Sequence, residues 1–297
     1  MERAEGLAAD LLIGAFDTHV HCAPDVVDRY SDFFGIAQDA LRAGMAGVAF
    51  KDVGHPTVDR AYAVRHDFPE LVAAGGIVLD HPVGGLNPFA VEQCLKRGGR
   101  VVWMPVVHSH HMVSRCLSGA VKTVVPQDCP IDRSISIVSA DGQLTESAKE
   151  IVALVGERRA TLMTGHVSPL EALQLTKFAL ANRVGHVVVN HPCGHAIGAS
   201  DEMQRDLADA GALMEHCYAQ CTPGLDGLSI DRIIASIHAV GPDRCIIATD
   251  LGQSFNPRPV DGLRFFLRDL LIAGLSTEEL RTMVQTNPGR IIDWGGV

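Results

Sequence analysis

Asp17-Thr18-His19-Val20-His21 is the stretch on which the reading of this chain turns. Alternate residues of a strand point to one face, so as a strand this run presents Asp17, His19 and His21 together. Two imidazoles at that spacing can reach one ion, and imidazole nitrogen suits zinc. The same pattern also fits a strand with two hydrogen-bonded structural histidines. The remaining strands decide between the two readings, through what they deliver to the same end.

Outward from this stretch, short β-branched apolar runs alternate with amphipathic helical stretches, the pattern of a parallel sheet with crossover helices. The first candidate strand is Gly14–His19, followed by Gly47–Lys51, Gly75–Leu79 and Arg100–Met104. The remaining four are Thr161–His166, His186–His191, Gly211–His216 and Cys245–Asp250. Eight such strands predict an α/β fold, a (β/α)8 TIM barrel. Ser168-Pro169-Leu170-Glu171 and Ser276-Thr277-Glu278-Glu279 are capping boxes, and Gly44 and Gly274 are helix stops. Further helices are expected over Asp32–Ala43, Pro88–Lys96, Glu146–Glu157, Asp201–Ala210, Ile230–Ala239 and Gly262–Ala273. The connection Val106–Leu144 is long. With its β-rich run Ser134–Val138 and the turn Asp141-Gly142, it reads as a loop plus a small hairpin over the barrel mouth, a lid or insertion.

The chain has 297 residues, of which 47% are hydrophobic, so residues 1–297 are read as one domain with a large core. A net charge of -10 argues against a nucleic-acid or anionic-membrane partner. No apolar run reaches the length of a membrane span. Residues 1–15 lack the basic and apolar segments of a signal peptide. The eight cysteines form no C-x-x-C pair and are expected as reduced thiols in a cytoplasmic protein. A homo-oligomer is the base-rate expectation.

The strand ends carry the chemistry. His166 closes the fifth candidate strand, His191 the sixth and Asp250 the eighth. Catalytic groups of parallel barrels come from the C-terminal ends of several strands. Satisfied core histidines would not sort themselves to one end. Lys51 ends the second strand, as a cation for a substrate carboxylate or as a solvated strand-end lysine. His216 ends the seventh strand and is a further pocket candidate. His108, His110 and His111 read mainly as loop histidines, with substrate contact or a second metal site as alternatives.

Taken in order, His19-x-His21, Thr164-Gly165-His166, Asn190-His191-Pro192 and Ala248-Thr249-Asp250 resemble the amidohydrolase superfamily, metal-dependent hydrolases on a distorted barrel. The resemblance runs from Phe16 to Asn287-Pro288-Gly289-Arg290-Ile291-Ile292. It implies His19, His21 and His166 as metal ligands, with Asp250 as ligand and as acceptor of the attacking water's proton. It implies His191 as a ligand of a second metal or as the group that polarises the substrate. Two-metal members bridge their ions with a lysine or glutamate from the fourth strand. Here that strand, Val101-Val102-Trp103-Met104-Pro105, offers neither, which favours one zinc over two; the resemblance adds a third reading of Lys51, a carbamylated bridge between two metals. Manganese and iron occupy similar donor sets. The implied activity is hydrolysis of an ester, lactone or amide bond of a small, carboxylate-bearing substrate. The alternatives are a metal-dependent decarboxylase or lyase, and a non-catalytic metal-binding barrel.

Overall fold

The computed structural model describes residues 1–121, 123–125 and 128–292. An opening helix α1 (Glu2–Leu12) precedes β1 (Phe16–His21), α2 (Phe33–Arg42), β2 (Gly47–Lys51), α3 (Val58–Asp67), β3 (Val72–Ala74) and β4 (Gly76–Val78). Then come α4 (Pro88–Lys96), β5 (Val101–Trp103), α5 (His110–Leu117), α6 (Glu146–Glu157), β6 (Thr161–Met163), α7 (Pro169–Ala181), β7 (His186–Asn190) and α8 (Asp201–Asp209). The chain continues through β8 (Leu213–Cys217), α9 (Ile230–Val240), β9 (Cys245–Ala248), α10 (Pro259–Ile272), α11 (Thr277–Arg281) and α12 (Asn287–Ile292).

All strand pairings are parallel, in two sheets ordered β1-β2-β3 and β4-β5-β6-β7-β8-β9. The expected third strand is therefore two short pieces, broken at Gly75. A Cβ on Gly75 would press on the backbone of Thr57 and Val58, so this bend exists only without a side chain. The last strand returns beside the first: His21 N–H donates to Leu251 O and Asp250 N–H to His19 O, each at 2.8 Å.

The period-two alternation of the strands feeds two apolar clusters. Ala49, Val101, Trp103, Met163, Val188 and Ile246 belong to one, on the inner face. Phe50, Val102, Leu162, Val187 and Ile247 belong to the other, which faces the helices. Lys51 and Asn190 fall on the inner parity. In β1 the register slips between Asp17 and Val20, so one extra residue stands on this strand. That bulge alters the alternation. Val20 packs with the helices, while Thr18 and His19 both turn toward β8.

The capping boxes at Ser168 and Ser276 form as their sequences predict, and Gly44 and Gly274 end their helices at φ 73° and 108°. The Val106–Leu144 segment differs from expectation. Ser109 accepts from Met112 N–H and starts helix α5 where only a loop was foreseen. The hairpin shrinks to a tight turn with one antiparallel bridge, Val138 to Leu144. Too few paired residues flank Asp141-Gly142 to make strands. Among the described residues no helix is long and apolar enough to cross a membrane, and none of the eight cysteines forms a disulfide.

Gly165 marks where β6 turns toward the site. Its φ is +59°, and a Cβ there would overlap the carbonyls of Met104 and Pro105. Gly165→Ala is therefore expected to cost about 2–4 kcal/mol, since it meets both a left-handed backbone and a packed wall. The check is a lower urea midpoint at unchanged m-value. An unchanged midpoint would contradict the packing described.

Candidate active site at the strand ends

Six elements bring polar side chains to one point. β1 supplies His19 and His21, β2 Lys51 and β8 Glu215. The turns after β6, β7 and β9 supply His166, His191 and Asp250. Asp250 is the hub: its Oδ1 lies 3.0 Å from His19 Nε2 and 3.1 Å from His21 Nε2. Its Oδ2 accepts from Gln220 Nε2 at 3.3 Å and lies 3.9 Å from His191 Nε2. His166 Nε2 and His191 Nε2 approach to 3.2 Å, and Lys51 Nζ lies 3.0 Å from His19 Nε2. His191 and Asp250 take positive φ, 28° and 54°. A non-glycine residue held there is strained by about 1–3 kcal/mol, and such strain clusters at functional sites.

His19 is fixed from behind by Glu215, which reasoning from sequence missed. His19 Nδ1 lies 2.9 Å from Glu215 Oε2. Thr18 Oγ1 donates to Oε1 at 2.8 Å and Asn190 Nδ2 to Oε2 at 2.7 Å. Burial would push the Glu215 carboxyl up, but His19 and these donors outweigh it and hold it at about 2. Burial likewise pushes His19 down. Asp250 and Glu215 on its two sides outweigh this and raise it to about 9, against Lys51, which lowers it.

The other imidazoles are held neutral. Burial lowers His21, with Arg29 adding to it. Burial and the neighbouring His191 take His166 well below its ordinary value. His191 is lowered first by burial. Asp250 goes the other way: despite burial, His19 and the bonds from His19 and His21 keep it ionised. The donor set is thus three neutral imidazoles, one carboxylate, and a His19 that must give up a proton to offer a lone pair.

Such a set fits a divalent metal, whose ligands must be deprotonated. The ligand atoms of His19, His21 and Asp250 all lie within 4.8 Å of one another. Glu215 on the far nitrogen of His19 is the outer carboxylate that commonly orients a ligating histidine. His19, Glu215 and Cys217 also cluster. There, burial and the Glu215 charge push the thiol well above its ordinary value.

The group opens into a cleft with about 640 Å³ of space, part of it open to solvent. Val53, Val106, Val107, Met112 and Leu225 give it apolar walls. The 106–144 segment thus does reach the site. Among the described residues, four buried polar atoms without a hydrogen-bond partner belong to residues lining this cleft: Arg29 Nη1, His166 Nδ1, His191 Nδ1 and Gln220 Oε1.

Several expectations change. Asp17 does not join His19 and His21. The bulge separates them, and its carboxylate accepts from Thr249 N–H at 3.0 Å and Thr249 Oγ1 at 2.6 Å. Burial raises Asp17 to about 7. Lys51 is 2% exposed, so it is not a solvated strand-end side chain. His216 does not face the cleft: alternation along β8 sends Glu215 inward and His216 outward, 4.0 Å from Cys193 Sγ. His108 packs on His81 beside Asp80, His110 is exposed, and His111 Nε2 donates to Ile197 O at 3.1 Å. None of the three lines the cleft, because α5 starts at His110 and ends the extended run they required. The signal for Glu215 was in the sequence: a lone carboxylate inside an apolar strand must find a buried partner.

The model of a family of unknown function (DUF6282) matches residues 14–215. No curated protein sequence matches the chain. Among solved structures, the chain is similar to the probable dipeptidase PvdM from Pseudomonas aeruginosa, at 14% identity, 98% of each chain and a TM-score of 0.66. It is similar to a zinc-bound amidohydrolase from Burkholderia multivorans, at 12% identity over 94% of this chain and 99% of that one, TM-score 0.58. A third is 2,6-dihydroxybenzoate decarboxylase from Rhizobium, at 11% identity over 95% and 98%, TM-score 0.57.

His216 yields a pH prediction. Burial, with Arg232 adding to it, holds this residue at about 4. Below its ordinary value of 6.5 the unfolded chain takes up a proton that the folded protein refuses. Stability therefore falls as pH drops from 6.5 toward 4, by about 1.4 kcal/mol per unit for one such group. His216→Phe is expected to make urea stability less steep across that window. An identical slope in the two proteins would show His216 to be protonated in the fold.

Proposed function

We propose, since the chain belongs to the family of unknown function DUF6282 and has the fold of the amidohydrolase superfamily, that it is a metal-dependent hydrolase of a small molecule's ester, lactone or amide bond. The strands then form the closed (β/α)8 barrel of that superfamily, and the 106–144 segment is its lid. The observation that carries the reading is Asp250 Oδ1, held at once by His19 Nε2 and His21 Nε2 at the mouth of an apolar cleft.

His19, His21, His166 and Asp250 would hold the metal, with His191 beside them. The zinc-bound amidohydrolase of similar fold supports zinc as the ion. Bound there, zinc supplies Lewis acidity and lowers the pKa of water toward neutrality. Asp250 is the proton acceptor: it is ionised, and Gln220 and Gln253 hold its side chain and carbonyl in place. Glu215 keeps the Nε2 of His19 aimed into the group. His191 polarises the substrate carbonyl. Lys51, buried beside His19, places its positive charge where an oxyanion develops.

Decarboxylation is the second reading. Strand β5, Val101–Trp103, is wholly apolar and brings no bridging lysine or glutamate, which supports one ion. A decarboxylase is among the similar structures. In that reading Lys51 holds the carboxylate that leaves.

Protein purified without chelator is expected to carry about one zinc per chain by elemental analysis. It should turn over members of a lactone, ester and amide panel, and Asp250→Asn should lower kcat by about 10²-fold or more while the fold is kept. Release of carbon dioxide from aromatic carboxylates without hydrolysis would favour the second reading. Stoichiometric metal with no turnover of either panel would leave a non-catalytic barrel, and absence of metal would overturn both.

A further inference from the structure

The loop after β1 brings a second cation to the cleft. Arg29 lines it, with a side chain only 1% exposed. Its backbone is pinned by an isolated bridge to Gln253, and the next residue, Tyr30, donates to Gly252 O at 2.7 Å. One edge of the guanidinium is used: Nε and Nη2 reach Asp25 Oδ2 at 2.9 and 2.7 Å, and Nη2 lies 3.2 Å from His21 Nδ1. The other nitrogen, Nη1, is buried with no hydrogen-bond partner among the described residues.

Other charges around the cleft are engaged. Lys51 is turned to His19, Asp250 to His19 and His21, and Asp226 accepts from His195 N–H at 2.8 Å. A buried donor on a charged group that lacks an acceptor is costly, and an anion recovers that cost with a short, charge-assisted bond. The chain as a whole is acidic, at -10, so it has no long-range field to attract an anion. Recognition must come from a local, desolvated cation.

We infer that Arg29 is an anion-binding residue of this cleft, and that the substrate carries a carboxylate which its free Nη1 edge anchors against the apolar walls. The inference rests on the reading of the cleft as the substrate site. It assigns the carboxylate a place of its own, on the loop that also orients His21 and apart from Lys51.

The test is calorimetric binding of benzoate and of its neutral isostere benzamide, to the protein as purified and after zinc loading, with zinc content measured for every sample. Benzoate should bind at least about tenfold more tightly than benzamide, and Arg29→Gln should remove most of that preference at unchanged zinc content. Arg29→Lys cannot form the fork to Asp25 and His21 but keeps the charge, and should retain most of the preference. Equal binding of the two ligands, no binding of benzoate, or an Arg29→Gln variant that binds benzoate as the parent does would overturn the inference. So would loss of zinc in both variants, which would make Arg29 a positioning residue for His21. A parent protein without zinc that still prefers benzoate through Arg29 would sink the metal reading and leave the anion site standing.

Discussion

Glu215 sits fully buried between Thr18, His19 and Asn190, and its charge organises what surrounds it. A buried carboxylate survives ionised only with several donors and a cationic partner. Here two strands supply them. Thr18 and His19 come from β1, through the bulge that turns two consecutive residues the same way, and Asn190 comes from β7. Once His19 Nδ1 is committed to Glu215, Nε2 has one direction left, toward Asp250 and Lys51. Removing Glu215 would strand two hydrogen-bonding groups and a cation in a dry interior. The geometry of the cluster therefore depends on a residue that does not itself line the cleft.

Much of this was legible in the sequence. The alternation of β-branched runs with capped helices gave the strands, because period two and period 3.6 are physically distinct and the caps are local chemistry. The convergence of His19, His21, His166, His191 and Asp250 was legible because parallel strands place their C-terminal ends together. The parts that were missed depend on contacts far apart in the chain. A bulge in β1 has no local signature in Asp17-Thr18-His19, so Asp17 was placed with the wrong partners. The inward choice of Glu215 over His216 is a parity question, and parity is set by register with β7 and β9. The break at Gly75 arises from its close approach to the backbone of Thr57, which no window of sequence around it contains.

The cleft joins two kinds of surface with opposite demands. Its valine-rich walls are apolar, and its floor holds carboxylates, imidazoles and two cations. Low dielectric makes each charge on the floor count for more than it would in solvent. The strained backbone at His191 and Asp250 belongs to the same arrangement: the turns after β7 and β9 hold these two side chains over the strand ends in a conformation that isolated residues avoid.

The two halves of the cluster lie at opposite ends of the order of synthesis. His21 meets Asp250 across 229 residues, and Thr18 meets Glu215 across 197. At the usual pace of translation the histidine pair emerges roughly ten to fifty seconds before Asp250 does. For most of that interval it has neither the carboxylate that positions His19 nor the one that completes the donor set. An ion captured by the nascent chain would be held by two imidazoles on an unpaired strand, and so only weakly. On the proposed metal reading, firm loading would be a late event, tied to docking of the last strand beside the first, and occupancy of the site would report that this docking has taken place.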